Sequence, residues 1–312
     1  MMKNSLPSLC SLALMLALGA AATVVWTGRP PVLPAVALTP AAIGHLLLAA
    51  VGLLAGFLSG LLGIGGSTIV VPAMVLLLPL LGVDAAKVAH VAIGSSLLAM
   101  IPTAALAARA QHRKGALDIA WLRRLGPGTA AGAVAGALLA LELRGVLLAL
   151  MYAAQAGCYG WGLLRPRAAA ATPTGWRART AARWGRLSPW AAGPAAAGFC
   201  ACVGSGAGSM NVPYLLAQQV PLLRATATSS ALNLALAVAG ALAFVSRPLA
   251  AGEVPPVCWP AAALVAGCAL LSVNPGVALA HRLPVAQLRR LLGGVTLLGA
   301  AVLVGRTMPG FW

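Results

Sequence analysis

The feature that most constrains this chain is a succession of apolar segments running almost from end to end. They span residues 6–26, 42–62, 67–81, 85–108, 122–143 and 146–164, and then 189–203, 208–218, 222–245, 257–280 and 285–304. A backbone surrounded by lipid must satisfy its own hydrogen bonds, so segments of this length and polarity fold as helices. Only four acidic residues interrupt them, Asp84, Asp118, Glu142 and Glu253, and 8% of the chain is charged. A soluble domain carries about 25%. The expected fold class is therefore an all-α polytopic membrane protein.

A net charge of +17 would suggest nucleic acid as partner in a soluble protein. Here the basic residues lie between apolar runs, where membrane topology accounts for them, and the expected partners are the lipid bilayer and a small solute, with no nucleic acid. The six cysteines sit in or beside apolar segments without CxxC or His-Cys spacing, so neither a disulfide framework nor a metal site is expected. Nothing in the sequence calls for a cofactor. Segment 6–26 follows Lys3 and ends near Ala20-Ala21-Ala22, which fits a signal peptide or a retained extra helix. We expect a retained helix within an N-terminal region, 1–41.

The remaining segments fall into two matching sets of five, separated by a basic polar linker at 165–187. GLLGIGGSTIVVP, from Gly60 to Pro72, has a counterpart in GSGAGSMNVP, from Gly204 to Pro213. Gly56-Phe57 upstream is echoed by Gly198-Phe199. Downstream, Ile93-Gly94-Ser95-Ser96 is echoed by Ala227-Thr228-Ser229-Ser230, and Gly115 with Trp121 by Gly252 with Trp259. Four matches in one order indicate an internal repeat, with halves at 42–164 and 188–312.

Charge sets the expected orientation, because Lys and Arg collect in cytoplasmic loops. Arg109, Arg113, Lys114, Arg123 and Arg124 place one loop of the first half inside. The linker arginines do the same, and so do Arg282, Arg289 and Arg290 in the second half. The three long helices of one half then run opposite to those of the other, which makes the halves inverted repeats. The N-terminus is cytoplasmic if the first helix is kept. The glycine-rich segments become hairpins entering and leaving on one side, outside for 42–81 and inside for 189–218. Arms of eleven to fifteen residues do not cross a core of about 30 Å, so tips near the midplane are expected, although 42–62 is long enough to span.

Irregular backbone at that depth is tolerated only where it lines a cavity. The helices beginning near Ser67 and Gly208 would each aim free N–H groups and a positive dipole end at the tip, an arrangement that attracts anions. Glycines there let an oxyanion approach the main chain. The candidate substrate-binding residues are Gly63, Gly65, Gly66, Ser67 and Thr68 at the first tip, with Ser95 and Ser96. At the second tip they are Gly204, Ser205, Gly206, Gly208, Ser209 and Asn211, with Ser229 and Ser230; Thr228 and Asn233 lie close in sequence. No carboxylate falls mid-span, which argues against a cation carrier. No catalytic residue is expected.

Simpler roles compete at several of these positions. Gly52, Gly56 and Gly60 form GxxxGxxxG, as do Gly128, Gly132 and Gly136, and close helix packing explains both. The serine hydroxyls can bond carbonyls of their own helices. His90 and Arg224 read either as interfacial residues or as cations drawing anions to each mouth. Cys200 and Cys202 support a rival class, an intramembrane thiol or redox protein.

The stretch GFLSGLLGIGGSTIVVP, then IGSSL, then QHRKGALDIAW resembles the sulfite exporter TauE/SafE family of bacterial permeases. The resemblance covers residues 42–306 and is most specific at 56–72 and 94–118. In the second half Cys202 and Ala207 stand where that pattern has glycine. The resemblance implies a multi-pass inner-membrane permease, not an enzyme. It would move a small sulfur-containing or organic anion such as sulfite or sulfoacetate by alternating access, often outward. Uptake of another small organic anion is the variant of the same class.

Overall fold

The computed structural model describes residues 40–62, 66–164, 186–247, 255–280 and 285–307, all within one compact unit, Pro40–Trp312. The expected helix at 6–26, Gly63, Gly65 and most of the linker lie outside the described residues. Those described form helices α1 (Pro40–Leu62), α2 (Ser67–Leu77), α3 (Val88–Arg113), α4 (Ile119–Glu142) and α5 (Gly145–Leu164), then α6 (Pro189–Cys202), α7 (Gly208–Ala217), α8 (Leu222–Val245), α9 (Trp259–Ala280) and α10 (Val285–Thr307). A short 3-10 turn, Leu78–Leu81, extends α2. There is no strand among the described residues. Helices α1, α3, α4, α8 and α9 are long and apolar enough to cross a membrane. The protein is an all-α polytopic membrane protein.

Local signals set the helix ends. The Asp118 carboxylate caps α4, accepting from the amides of Ala120 and Trp121 at 3.1 and 3.2 Å, which satisfies donors that a helix start leaves unpaired. Gly82, at φ 84°, ends the 3-10 turn in the left-handed conformation that glycine tolerates best. Pro72 and Pro213 each occupy the sixth residue of a short helix, α2 and α7. A proline there removes the N–H that would bond the carbonyl four residues back. For Pro72 that carbonyl belongs to Thr68, and the Tyr152 hydroxyl donates to it at 2.6 Å.

Glycine ladders decide the packing. The most extensive contacts join α1 to α9 and α4 to α6. A Cβ on Gly52 would meet Val265 and Cys268; on Gly56, Ala269 and Ser272; on Gly60, Val273 and Val277. Both sets of numbers rise together, so α1 and α9 run parallel with their backbones in near contact. Gly193 faces Leu125, Pro194 faces Gly128 and Gly132, and Gly198 faces Gly136, so α6 and α4 are parallel as well. By the same test α3 and α8 are antiparallel, Gly94 facing Phe244 and Gly240 facing Leu97. Helices α5 and α10 are also antiparallel, Gly160 facing Thr296 and Gly293 facing Leu164.

Both short-helix segments return to the level at which they begin. Gly44 in the first turns of α1 lies against Leu80 and Leu81, and the Tyr214 hydroxyl of α7 donates to the Leu187 carbonyl, just before α6, at 3.1 Å. One arm is long enough to span, as the length of segment 42–62 leads one to expect. Helix α1 has 23 residues, about 34 Å at 1.5 Å per residue, because its glycines stay docked along α9 to the end. Helices α6 and α7 have 14 and 10.

Candidate functional site

The first tip is built where α2 begins. Gly66 is buried at the N-cap of α2. A Cβ there would sit 2.5 Å from the carbonyl oxygen of Ala55, so only glycine lets the start of α2 press against α1. Ser67 opens the helix at 3% exposure, and its hydroxyl has no hydrogen-bond partner among the described residues. It lines a cavity of about 10 Å³ with Gly56, Gly66, Ser96, Thr103 and Ala269 among others, about the room one water needs. Thr68 turns its carbonyl to Tyr152.

At the second tip the serine hydroxyls are paired while several amides are not. Gly204 takes φ 72° and packs on Ile93, turning the chain out of α6. The Ser205 amide donates to the Cys200 carbonyl at 2.8 Å. The amides of Gly206, Ala207, Gly208 and Ser209 have no acceptor among the described residues. They open α7 as a run of main-chain donors that suits an oxyanion. The hydroxyls beside them are engaged by one side chain of α5. Ser205 donates to Gln155 Oε1 at 2.8 Å, and Gln155 Nε2 donates to Ser209 Oγ at 3.0 Å and lies 3.6 Å from Cys200 Sγ.

Ser96 connects the two tips. It lines the cavity beside Ser67, and its single hydroxyl proton is shared between the Ile93 carbonyl of its own helix at 2.8 Å and the Gly204 carbonyl at 3.2 Å. Ser95 is turned elsewhere: its hydroxyl accepts the Cys258 amide at 2.8 Å, holding the entry to α9. Thr228 does the matching work in α8, accepting the Asp118 amide at 3.1 Å ahead of α4. Ser230 donates to the Thr226 carbonyl of its own helix. Ser229 and Asn211 are buried, the Ser229 hydroxyl and the Asn211 amide nitrogen without partners among the described residues. The structure thus gathers Gly66, Ser67 and Ser96 at one cavity and Gly204, Ser205 and Ser209 at the second tip, with the Ser96–Gly204 hydrogen bond between them, while Ser95 and Ser230 serve backbone carbonyls and amides.

Gln155, Tyr152 and Thr103 are polar groups at the tips that do not stand out in the glycine-serine pattern. Gln155 carries a legible signal all the same, since an amide inside the apolar run LALMYAAQAGCYG is costly unless paired. His90 donates from Nε2 to the Leu143 carbonyl at 2.9 Å, which anchors it at a helix end. Cys200 and Cys202 are buried and unbridged, and two residues apart on a helix they point about 200° away from each other. No group of three or more metal-ligating side chains occurs among the described residues.

A family model described as "Sulfite exporter TauE/SafE" matches residues 47–303, both hairpins included. The chain belongs to the sulfite exporter TauE/SafE family. A curated relative in Haemophilus influenzae, described as "Probable membrane transporter protein", is 41% identical over 76 residues, 24% of this chain and 28% of the relative. The matched part thus spans little more than a quarter of that relative. No solved structure matches this TauE/SafE protein.

Proposed function

We propose that the protein is a permease for a small oxyanion, a sulfur oxyanion or organosulfonate such as sulfite or sulfoacetate, exported across the bacterial inner membrane by alternating access. The observation that carries it is Ser67: a buried, unpartnered hydroxyl at the start of α2, lining a cavity that Ser96 connects to the second tip. A buried hydroxyl without a partner costs about 1–3 kcal/mol, a cost that an incoming acceptor removes. The run of unpaired amides opening α7 faces the same requirement. Membership of the TauE/SafE family supports the transporter class and directs attention to sulfur oxyanions.

The helix directions support inverted halves at 42–164 and 188–312. Charge places α1 and α9 in the same sense across the membrane, likewise α4 and α6, and sets α3 against α8. The packing has these same relative directions. The bodies that rock, however, are not the sequence halves. Helices α1 and α2 travel with α9 and α3, and α6 and α7 with α4 and α8, because each glycine ladder locks a hairpin to the opposite half. A cavity with room for about one water is too small for the anion, so we read this arrangement as an occluded state that opens to one side as the two bodies part. In this arrangement the N-terminus is cytoplasmic if the segment 6–26 is retained as a helix.

The test is anion-dependent stabilisation of the purified full chain against sulfite, thiosulfate, sulfoacetate, taurine and sulfate. A saturable rise in melting temperature with one sulfur oxyanion or sulfonate, absent with the others, is the expected result. No response to any of the five would overturn the oxyanion site.

A further inference from the structure

One face of α5 holds both hairpin tips. Tyr152 donates to the carbonyl that Pro72 strips of its helical partner in α2. Three residues on, Gln155 takes the two serine hydroxyls at the start of α7. Residues i and i+3 project from one side of a helix, so the two bodies that carry the tips are tied through a single element. The tips are not treated alike. At the first, Ser67 is unpartnered and opens on a cavity. At the second, a carboxamide takes both serines, offering Ser205 an acceptor oxygen and Ser209 a donor nitrogen.

An oxyanion is acceptor only, and the Ser205 hydroxyl has one proton to give. That proton is committed to Gln155 Oε1 in this state, so an anion at the second tip must displace the carboxamide oxygen. Released, the same side chain can rotate and leave the Ser205 proton and the α7 amides to the anion.

We infer that Gln155 is the gate of the second tip: its carboxamide oxygen stands in for a substrate oxygen in the occluded state and is displaced when the anion binds. The inference rests on the oxyanion assignment above. It makes Gln155 a residue that sets affinity and couples occupancy to the separation of α5 from α7. Two variants separate this from simple packing. In Gln155→Ala the competing acceptor is gone. In Gln155→Glu both carboxylate oxygens accept from the serines, so the tip stays tied, but a negative charge opposes the anion.

Two readouts apply to the full chain in detergent. The first is thiol labelling of Cys200, buried at 0% exposure beside Gln155, in a chain whose other cysteines are replaced by alanine. The second is the sulfite or sulfoacetate concentration giving half-maximal thermal stabilisation. Gln155→Ala is expected to label at least tenfold faster without anion and to half-saturate at least fivefold lower. Gln155→Glu is expected to label within twofold of the wild type and to half-saturate at least tenfold higher. If Ala at 155 prevents folding, Gln155→Asn, one methylene too short to reach both serines, takes its place with the same expected direction. A lowered melting temperature with unchanged half-saturation overturns the gate and leaves Gln155 as packing. Faster Cys200 labelling with no response of any variant to either anion upholds the tie between α5 and α7 and overturns the oxyanion assignment.

Discussion

Replacing glycine by alanine at two positions of the same helix pair should change stability in opposite directions. At Gly56 in α1 a Cβ overlaps the Ala269 carbonyl and the Ser272 hydroxyl of α9. The Ser272 hydroxyl can rotate away, but the Ala269 carbonyl is backbone, so the helices must separate. Forcing a methyl into a packed interface costs about 1–3 kcal/mol, against a gain of about 1 kcal/mol from replacing glycine inside a helix. The structure adds a second cost, since Gly52 and Gly60 share the ladder, with a Cβ on Gly52 only 2.7 Å from the Val265 carbonyl oxygen. Separation at Gly56 therefore loosens contacts along the whole pair. At Gly267 in α9 nothing lies within 4 Å of the added carbon, so only the gain remains. Gly56→Ala should destabilise by about 1–2 kcal/mol and Gly267→Ala should stabilise by up to about 1 kcal/mol. Denaturant titration of the purified chain in micelles, followed by helical circular dichroism, measures both. Equal effects of the two substitutions would refute the docking of α1 along α9, and with it the division into two mixed bodies.

Two further outcomes bear on the site. Ser67→Ala breaks no hydrogen bond, so the melting temperature should hold or rise slightly. The half-saturating sulfite or sulfoacetate concentration should rise roughly tenfold, the worth of one hydrogen bond to a charged group, as read by thermal-shift titration. Ser95→Ala leaves the Cys258 amide without its acceptor, so it should cost about 1–3 kcal/mol in the same denaturant titration with half-saturation unchanged; a binding defect larger than the stability defect would return Ser95 to the anion site.

Much of the fold is legible along the chain because the membrane leaves few choices. Segment 222–245 coincides with α8, and the start of α10 at Val285 lies where the apolar run begins. Helix α3 runs to Arg113 rather than stopping at 108, since basic side chains extend a helix beyond the apolar stretch and into the headgroup region. The glycine repeats are readable as packing surfaces, but not what they pack on. Gly52, Gly56 and Gly60 would serve equally well against a neighbour in the same half. Shape complementarity in three dimensions assigned them to α9, and Gly128, Gly132 and Gly136 to α6.

The site divides in the same way. Gly66, Ser67 and Gly204 are marked by their positions in a repeated motif, because close approach and positive φ admit few residues other than glycine. Ser95 and Ser96 are adjacent in sequence and alike in chemistry. Only the tertiary structure sends one to the Cys258 amide and the other to the Gly204 carbonyl, since neighbours on a helix point about 100° apart. Gln155 belongs to neither motif. Its role depends on a contact across about fifty residues of chain, with Ser205 and Ser209. Amino-acid composition and spacing by themselves determined that this chain crosses a membrane repeatedly and breaks its helices at two glycine-rich turns. Which helices those turns dock on, and which side chain closes the second of them, was decided by packing, because a helix surface offers several faces and only the assembled neighbours select one.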